Sequence, residues 1–259
     1  MAQNAPGILA AALIILGYPL KALGIADELL ATARRSSDSY SIAIALFSDC
    51  MHHLVLRDAR TVAERADEML SISTEHEMPF NSIVATFFRG WAMTAEGRGD
   101  EGIAEMRRSV SDPIAAEAPS TAVRLAVLAE TCGKSRRVEE GLDLVAEGLA
   151  TAEHTGLRLA EAELHRLKGE LLAIKEPSNV AEVERCLRTA IEVARRQGAR
   201  LYELRATVSL ARLLKQQGKT VEARPMLREI YNWFTEGFDT ADLKDAKALL
   251  DQLSDPGRE

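Results

Sequence analysis

The feature of this 259-residue sequence that most constrains its fold is a turn signal that recurs about every 40 residues. Four of the turns contain glycine, and two further junctions without glycine lie where a turn is due. The six turns are centred on Gly17, Arg57, Gly97, Gly133, Glu176 and Gly218. The intervals between them are 40, 40, 36, 43 and 42 residues. Self-similarity at such a period indicates stacked supersecondary units, each of which buries its apolar face against its neighbours.

Small residues recur at fixed distances on both sides of these turns. Seven positions before the turns stand Ala10, Cys50, Gly90, Ala126, Gly169 and Ala211. Five positions after them stand Ala22, Val62, Gly102, Val138, Ala181 and Ala223. Small side chains at a helix crossing allow close approach of the two backbones, as in the tetratricopeptide (TPR) repeat. We therefore predict an all-α fold: an α-solenoid of about six TPR-like helical hairpins over residues 1–259, a single domain, with a C-terminal capping helix over about 240–253.

Two prolines interrupt the pattern after the third hairpin. Pro113 and Pro119 flank a short stretch, and proline in a helix interior kinks or breaks the helix. The second helix of this hairpin is therefore predicted to end near Val110. Residues 111–120 are the candidate hinge of the array.

Composition and charge exclude several classes of protein. The chain has 39 acidic residues against 32 Lys and Arg, for a net charge of −7, which argues against a general binder of nucleic acid or anionic membranes. The three cysteines are widely spaced and imply no disulfide framework, so a reducing, cytoplasmic setting is expected. The apolar run 8–16 is too short to span a membrane and has no basic residue before it, so we predict a buried first helix rather than a signal peptide.

Candidate catalytic and metal-binding residues are few. Asp49, His52 and His53 have a spacing that could hold zinc on one helix face, but no second group of ligands accompanies them, and a polar helix face is the preferred interpretation. Glu161 and His165 could form an acid–base pair for catalysis, but no nucleophile completes a site. None of the glycine turns has the phosphate-loop pattern. We therefore predict no catalytic residue, no metal and no cofactor.

The C-terminal part of the chain is divided by charge. Residues 185–228 contain eleven Lys or Arg and three Glu, whereas residues 229–259 contain eight acids and three bases. The basic stretch is either a solvated face paired with neighbouring acidic helices or a docking surface for an acidic partner. Nucleic acid is the least favoured partner because aromatic residues are not interleaved with the charges.

Several segments resemble one bacterial family. They are ELHRLKGELL at 163–172, AIEVARRQG at 190–198, ELRATVSLARL at 203–213, YNWFTEGFDTADLKDAKALL at 231–250 and the earlier stretch 80–110. They resemble the C-terminal TPR region of class III adenylate/guanylate cyclase-like proteins and related predicted ATPases. The resemblance implies a signalling role, with cyclase or P-loop ATPase domains as upstream partners. None of the matched motifs is catalytic, so the resemblance transfers no active-site residue.

These observations predict a non-enzymatic interaction or regulatory module that binds a protein or peptide. The alternative is a sensor array whose curvature changes when a small ligand binds. In a TPR-like array the first helices of the hairpins line the concave groove, where arginines favour an acidic or carboxylate-bearing partner. The predicted partner-binding residues are Arg89, Arg124, Arg166, Arg205 and Arg212. The oligomeric state is not specified by these patterns.

Overall fold

The computed structural model describes residues 5–116 and 118–254, which form an array of helices without a β-strand. The helices are α1 (Ala5–Leu16), α2 (Pro19–Ser36), α3 (Ser39–Val55), α4 (Ala59–Glu75), α5 (Pro79–Ala95), α6 (Gly99–Val110), α7 (Pro113–Ala116), α8 (Thr121–Lys134), α9 (Val138–Thr155), α10 (Glu161–Lys175), α11 (Val180–Gln197), α12 (Arg200–Gln216), α13 (Thr220–Trp233) and α14 (Ala241–Gln252). A 3₁₀ turn, Arg158–Ala160, precedes α10. The all-α prediction is confirmed.

Six antiparallel hairpins make up the array. Their first helices, called the inner helices below, are α1, α3, α5, α8, α10 and α12. Their second helices, the outer helices, are α2, α4, α6, α9, α11 and α13. Each inner helix packs against its own outer helix, and successive inner helices pack against each other. The closing helix α14 lies on α12 and α13, within one residue of its predicted bounds.

Local sequence explains where several helices begin. Asp38 and Asp58 precede α3 and α4, and their carboxylates accept hydrogen bonds from the amides of Ser41 and Thr61. Pro19 opens α2, where the missing amide proton costs no hydrogen bond. The first-turn N–H groups that an α-helix leaves free are satisfied by such caps.

Small residues bring the two helices of a hairpin together, as the sequence predicts for most of the array. Ala10, Cys50 and Ala211 are fully buried. The crossing of the third hairpin is tight, because a methyl group on Gly102 would overlap the carbonyl oxygen of Gly90. A methyl group on Gly90 would in turn lie 2.7 Å from the carbonyl oxygen of Gly102.

The predicted register is wrong in the fourth hairpin. Gly133 lies inside α8, and the residue with left-handed backbone is Arg136, at a φ of 61°. The equivalent left-handed residues are Gly17, Arg57, Gly97 and Arg136, at intervals of 40, 40 and 39 residues. The crossing therefore falls at Ala129 and Gly141, where a methyl group on Gly141 would lie 3.2 Å from the carbonyl oxygen of Ala129. Gly133 is small for another reason: a methyl group there would lie 2.9 Å from Leu171.

The fifth hairpin departs from the prediction in its second helix. Ala181, predicted to lie at the crossing, is exposed. Proline at 177 keeps the chain out of helix between Lys175 and Val180, so α11 starts late and Val183 takes the buried position. Gly169 does pack as predicted, because a methyl group there would lie 3.0 Å from Leu187.

Residues 111–120 connect the third and fourth hairpins. Helix α6 ends at Val110, as the prolines predict, and the single turn of α7 follows. Arg124 of α8 is fully buried and donates hydrogen bonds to the carbonyl oxygens of Ser109 and Ala115. Burial lowers the pKa of Arg124 to about 10. The segment is thus tied to α8, and its role as a hinge stays a prediction.

The two ends of the array meet, which the sequence analysis does not predict. The carboxylate of Glu236 accepts hydrogen bonds from the amides of Leu20 and Lys21 at 2.9 and 3.3 Å, at the start of α2. The rings of Tyr18 and Trp233 pack edge to face with centroids 5.7 Å apart. We call these contacts the terminal junction. At the same end of the array, α1 packs against α12, so the first and sixth hairpins are in contact.

No helix in the two described ranges is long and apolar enough to cross a membrane.

Candidate partner-binding groove

Three depressions on the inner surface share two residues of α8, Glu130 and Lys134. The first, of about 190 Å³, is lined by side chains of α3, α5, α8, α10 and α12. The second extends toward α14, and the third runs along the side of α10 to Ile174. We call the three together the inner groove. It brings five of the six hairpins to a common surface.

The first depression has an apolar wall. Trp91 of α5 lines it together with Val123 and Val127 of α8, and Leu54 of α3 lies at the same surface. These positions follow from the amphipathic pattern of the inner helices, whose other faces pack in the core. The wall offers a site for an apolar side chain next to the charged residues at the centre of the groove.

The centre of the groove is a carboxylate surrounded by cations. Glu130 Oε1 lies 3.1 Å from Arg57, 3.2 Å from Lys134 and 3.9 Å from Arg166. Burial would raise the pKa of Glu130, but Arg57, Lys134 and Arg166 outweigh it and hold the pKa well below its usual range. The carboxylate is therefore ionised at neutral pH.

A buried ion-pair network continues from this centre to α14. Arg166 pairs with Glu163 and Glu170, each at 2.7 Å. Arg205 pairs with Glu163 at 3.3 Å and with Asp242 at 2.8 Å. Burial opposes ionisation of Asp242 and Glu163, but the arginines dominate and lower the pKa of both carboxyls. These charges are mutually satisfied and hold α10, α12 and α14 together.

Accessibility separates the cations of the groove into two groups. The side chains of Arg166 and Arg205 are 4% and 9% exposed, and their donors point into the network. Lys134 and Arg212 are 64% and 48% exposed, and Arg57 is 32% exposed. A partner entering the groove therefore meets Lys134, Arg212 and Arg57 first.

The structure brings three of the five predicted arginines together. Arg166, Arg205 and Arg212 all line the inner groove. Arg89 lies in a separate depression between α5 and α6, 3.7 Å from Glu105. Arg124 is buried behind α7 and lies outside the groove.

Sequence reasoning missed several groove residues, among them Arg57, Glu130 and Lys134. Arg57 stands in a turn, where its charge gives no sign that it points inward. Glu130 and Lys134 have the i, i+4 spacing of a helix-face pair, and their place on the fourth inner helix was a usable signal.

The basic stretch 185–228 is paired with acids over much of its length. Arg188 contacts Glu184 and Glu222, and Glu203 accepts from both Arg195 and Arg200. On α12 the partner is α14, through the ion pairs Arg205–Asp242 and Arg212–Asp245 and a hydrogen bond from Lys215 to the neutral side chain of Gln252. An acidic segment thus docks on part of the basic stretch, and that segment belongs to the same chain.

Several of the residues considered for metal binding and catalysis have partners within the chain. Asp49 pairs with Arg65 at 2.9 Å, and buried His52 donates from Nε2 to the carbonyl oxygen of Gly7 at 3.1 Å. Glu161 pairs with Arg158 at 3.0 Å, and burial lowers the pKa of His165. Among the described residues no group of three or more His, Cys, Asp or Glu could hold a metal ion.

Comparisons with known proteins give one distant curated relative. No family model matches the chain. An uncharacterized protein of Rhizobium meliloti (strain 1021) is 25% identical over 210 residues, which cover 80% of this chain and 20% of that protein. The chain therefore corresponds to about a fifth of the length of this relative.

Three solved structures of repeat proteins are similar to the array. The nearly identical TPR-like repeats of a Podosopora anserina kinesin light chain cover 72% of this chain and 92% of that one, with 17% identity and a TM-score of 0.46. A single-substitution variant of those repeats covers 72% and 91%, with 16% identity and a TM-score of 0.48. The match to yeast Tom70 covers 92% of this chain and 60% of the Tom70 chain, with 13% identity and a TM-score of 0.41.

Proposed function

We propose that this chain is a non-enzymatic protein-interaction module that binds an acidic peptide segment in the inner groove. The observation that carries the proposal is the docking of acidic α14 on α12, where Asp242 and Asp245 meet Arg205 and Arg212. This contact within the chain is an example of the chemistry proposed for the partner. The ammonium group of the neighbouring Lys134 is accessible to solvent and can donate further hydrogen bonds to a partner.

The geometry supports a peptide with carboxylates close to an apolar side chain. The carboxylates pair with Lys134 and Arg212, whose flexible and forked donors are accessible from solvent. An apolar side chain enters the depression beside Trp91. A basic partner is disfavoured, because the side chains of Glu130 and Asp242 are only 19% and 8% exposed, whereas those of Lys134 and Arg212 are 64% and 48% exposed.

The fluorescence of Trp91 offers a direct test. The chain has two tryptophans, so Trp233→Phe leaves Trp91 as the only reporter at the groove. We expect peptides that alternate Glu with Leu to change its emission on binding, and peptides that alternate Lys with Leu to have no effect. If no acidic peptide changes the emission of Trp91, the proposal is contradicted.

Charge variants identify the surface. Lys134→Gln with Arg212→Gln is expected to weaken peptide binding by about tenfold or more, since each charge-assisted contact contributes about 1 kcal/mol. The matched control is Arg60→Gln with Arg185→Gln, because both of these side chains are exposed and lie outside the groove. If the two double variants bind the peptide with equal affinity and equal salt dependence, the inner groove is not the surface that binds it.

A small-ligand sensor is the second candidate, favoured by the enclosure of the 190 Å³ depression. Arg57 and Arg205 line this depression. Arg57 also contacts Asp242, and Arg205 donates a hydrogen bond to the carbonyl oxygen of Val55. A ligand in the depression would therefore act on contacts that join distant parts of the array. Small-angle scattering distinguishes the candidates. A sensor changes its radius of gyration when a small dicarboxylate is added, whereas a peptide-binding module does not.

We also propose that the module works as part of a longer signalling protein with upstream cyclase or ATPase domains. The length of the Rhizobium relative and the family resemblance of 163–250 support this context. The test is the nucleotide turnover of a full-length relative with and without the matching region. Unchanged turnover and unchanged regulation would contradict it.

A further inference from the structure

Four acidic residues line the second depression of the inner groove, and they differ in exposure. They are Glu130, Glu170, Asp242 and Asp245, with side chains that are 19%, 38%, 8% and 47% exposed. Glu130 and Asp242 belong to the buried ion-pair network, and Glu170 is held by both Arg166 and the hydroxyl group of Ser209. Asp245 is therefore the acid of this depression that is most accessible from solvent.

Asp245 pairs with one of the cations that an entering partner meets first. Its carboxylate lies 2.5 Å from the guanidinium group of Arg212, whose side chain is 48% exposed. An ion pair with two half-exposed partners contributes little to stability, because water solvates the separated charges nearly as well. A carboxylate from outside the chain can therefore replace Asp245 at Arg212.

Release of Asp245 leaves helix α14 in place. The helix packs on α12 and α13 through buried apolar side chains, which are Leu243, Ala246, Leu249 and Leu250. The buried pair between Asp242 and Arg205 holds its first turn. The exchange at Arg212 therefore requires movement of one side chain and not of the helix.

We infer that Asp245 is an internal competitor, which limits the access of a partner's carboxylate to Arg212. This inference rests on the proposed binding of an acidic segment in the inner groove. A competitor attached to the same fold acts at a high effective concentration, so a partner must displace it in every binding event. Exposed ion pairs favour the paired state by about twofold to fivefold. Asp245 also repels other carboxylates that enter the depression, so the groove binds an acidic segment less tightly than its cations alone would.

Peptide titrations followed by tryptophan fluorescence test the competition. In the Trp233→Phe background, Asp245→Asn is expected to lower the Kd of the peptide that alternates Glu with Leu by about threefold to tenfold, because Arg212 is then free. The matched control is Asp251→Asn, which removes the same charge from the same helix. Asp251 pairs with Lys247 of α14, is 64% exposed and does not line the depression, so its replacement should leave the Kd unchanged. Equal Kd values for the two variants would overturn the inference.

A further pair of variants shows whether Arg212 carries the effect. Arg212→Gln removes the site of exchange, so the addition of Asp245→Asn to this variant is expected to change the Kd by less than about twofold. If the full gain persists without Arg212, Asp245 acts by general repulsion and is not a competitor. Thermal unfolding followed by circular dichroism checks that α14 stays docked, since Asp245→Asn and Asp251→Asn should then melt at the same temperature.

The competition and the proposed function fail in different ways. If the wild type binds the acidic peptide and Asp245→Asn binds it no more tightly, the groove still accounts for binding and only the role of Asp245 is overturned. If neither chain binds the peptide, the groove is not a site for acidic segments and both proposals are wrong. Binding by Asp245→Asn alone would mean that the internal carboxylate excludes the peptide from the wild type.

Discussion

Replacing Gly102 with alanine tests the crossing of α5 and α6 in the third hairpin. A helix-interior Gly→Ala change without steric conflict stabilises a protein by about 1 kcal/mol. At Gly102 the new methyl group overlaps the carbonyl oxygen of Gly90 and lies close to Thr94. The Gly90 oxygen is a backbone atom and cannot rotate away, so α5 and α6 must separate. Overpacking of this kind costs about 1–3 kcal/mol, and we expect a net loss of stability.

The matched control is Gly24→Ala, in the interior of α2. Nothing lies within 4 Å of the position that its methyl group would occupy. This variant should be more stable than the wild type by about 0.5–1 kcal/mol, from the propensity of alanine alone. Urea denaturation followed by circular dichroism measures both changes, and an unchanged denaturant slope assigns them to stability. If Gly102→Ala is stabilised like Gly24→Ala, the crossing assigned to the third hairpin is wrong.

The buried polar groups and thiols give three more predictions. Arg205→Gln should lower the free energy of unfolding by about 3–5 kcal/mol, because it leaves Asp242 buried without its nearest cation and removes one of the two arginines that pair with Glu163; a loss below about 1 kcal/mol in urea denaturation would contradict this. Burial lowers the pKa of His52 in the folded chain, so the unfolded chain binds the proton first and stability should fall as the pH drops below about 6.5, with a weaker decline in His52→Gln. Burial also raises the pKa of the Cys50, Cys132 and Cys186 thiols, so a colourimetric thiol reagent should react with none of them until the chain unfolds.

The hairpin architecture was accessible to sequence analysis because helix crossing restricts residue size. Only glycine fits where the α5 and α6 backbones touch, and that restriction accounts for Gly90 and Gly102. The predicted register was wrong in the fourth hairpin, where the glycine is required by a contact other than the turn. Gly133 accommodates Leu171 of the next hairpin, while the turn itself uses Arg136 in a left-handed conformation that glycine adopts more easily.

The groove was only partly predictable, since burial of a charge depends on residues distant in sequence. Arg205 and Arg212 lie on one inner helix seven residues apart, yet Arg205 is enclosed by Glu163 and Asp242 while Arg212 stays half-exposed. Helix periodicity predicts that the two arginines lie on the same face of α12, but it does not predict which part of that face α14 covers. Arg57 was missed for the same reason, because its partners Glu130 and Asp242 come from α8 and α14.

The terminal junction changes how the chain is expected to fold. A linear repeat array has only neighbour contacts, so it can fold from any point and can lose a terminal repeat with a local effect. Here the hydrogen bond from Leu20 to Glu236 joins residues 216 positions apart. Forming it requires closure of almost the entire chain, whose entropic cost precedes any gain from the contact. The junction therefore forms late, and a truncation that removes Trp233 and Glu236 should destabilise the start of α2, at the opposite end of the sequence.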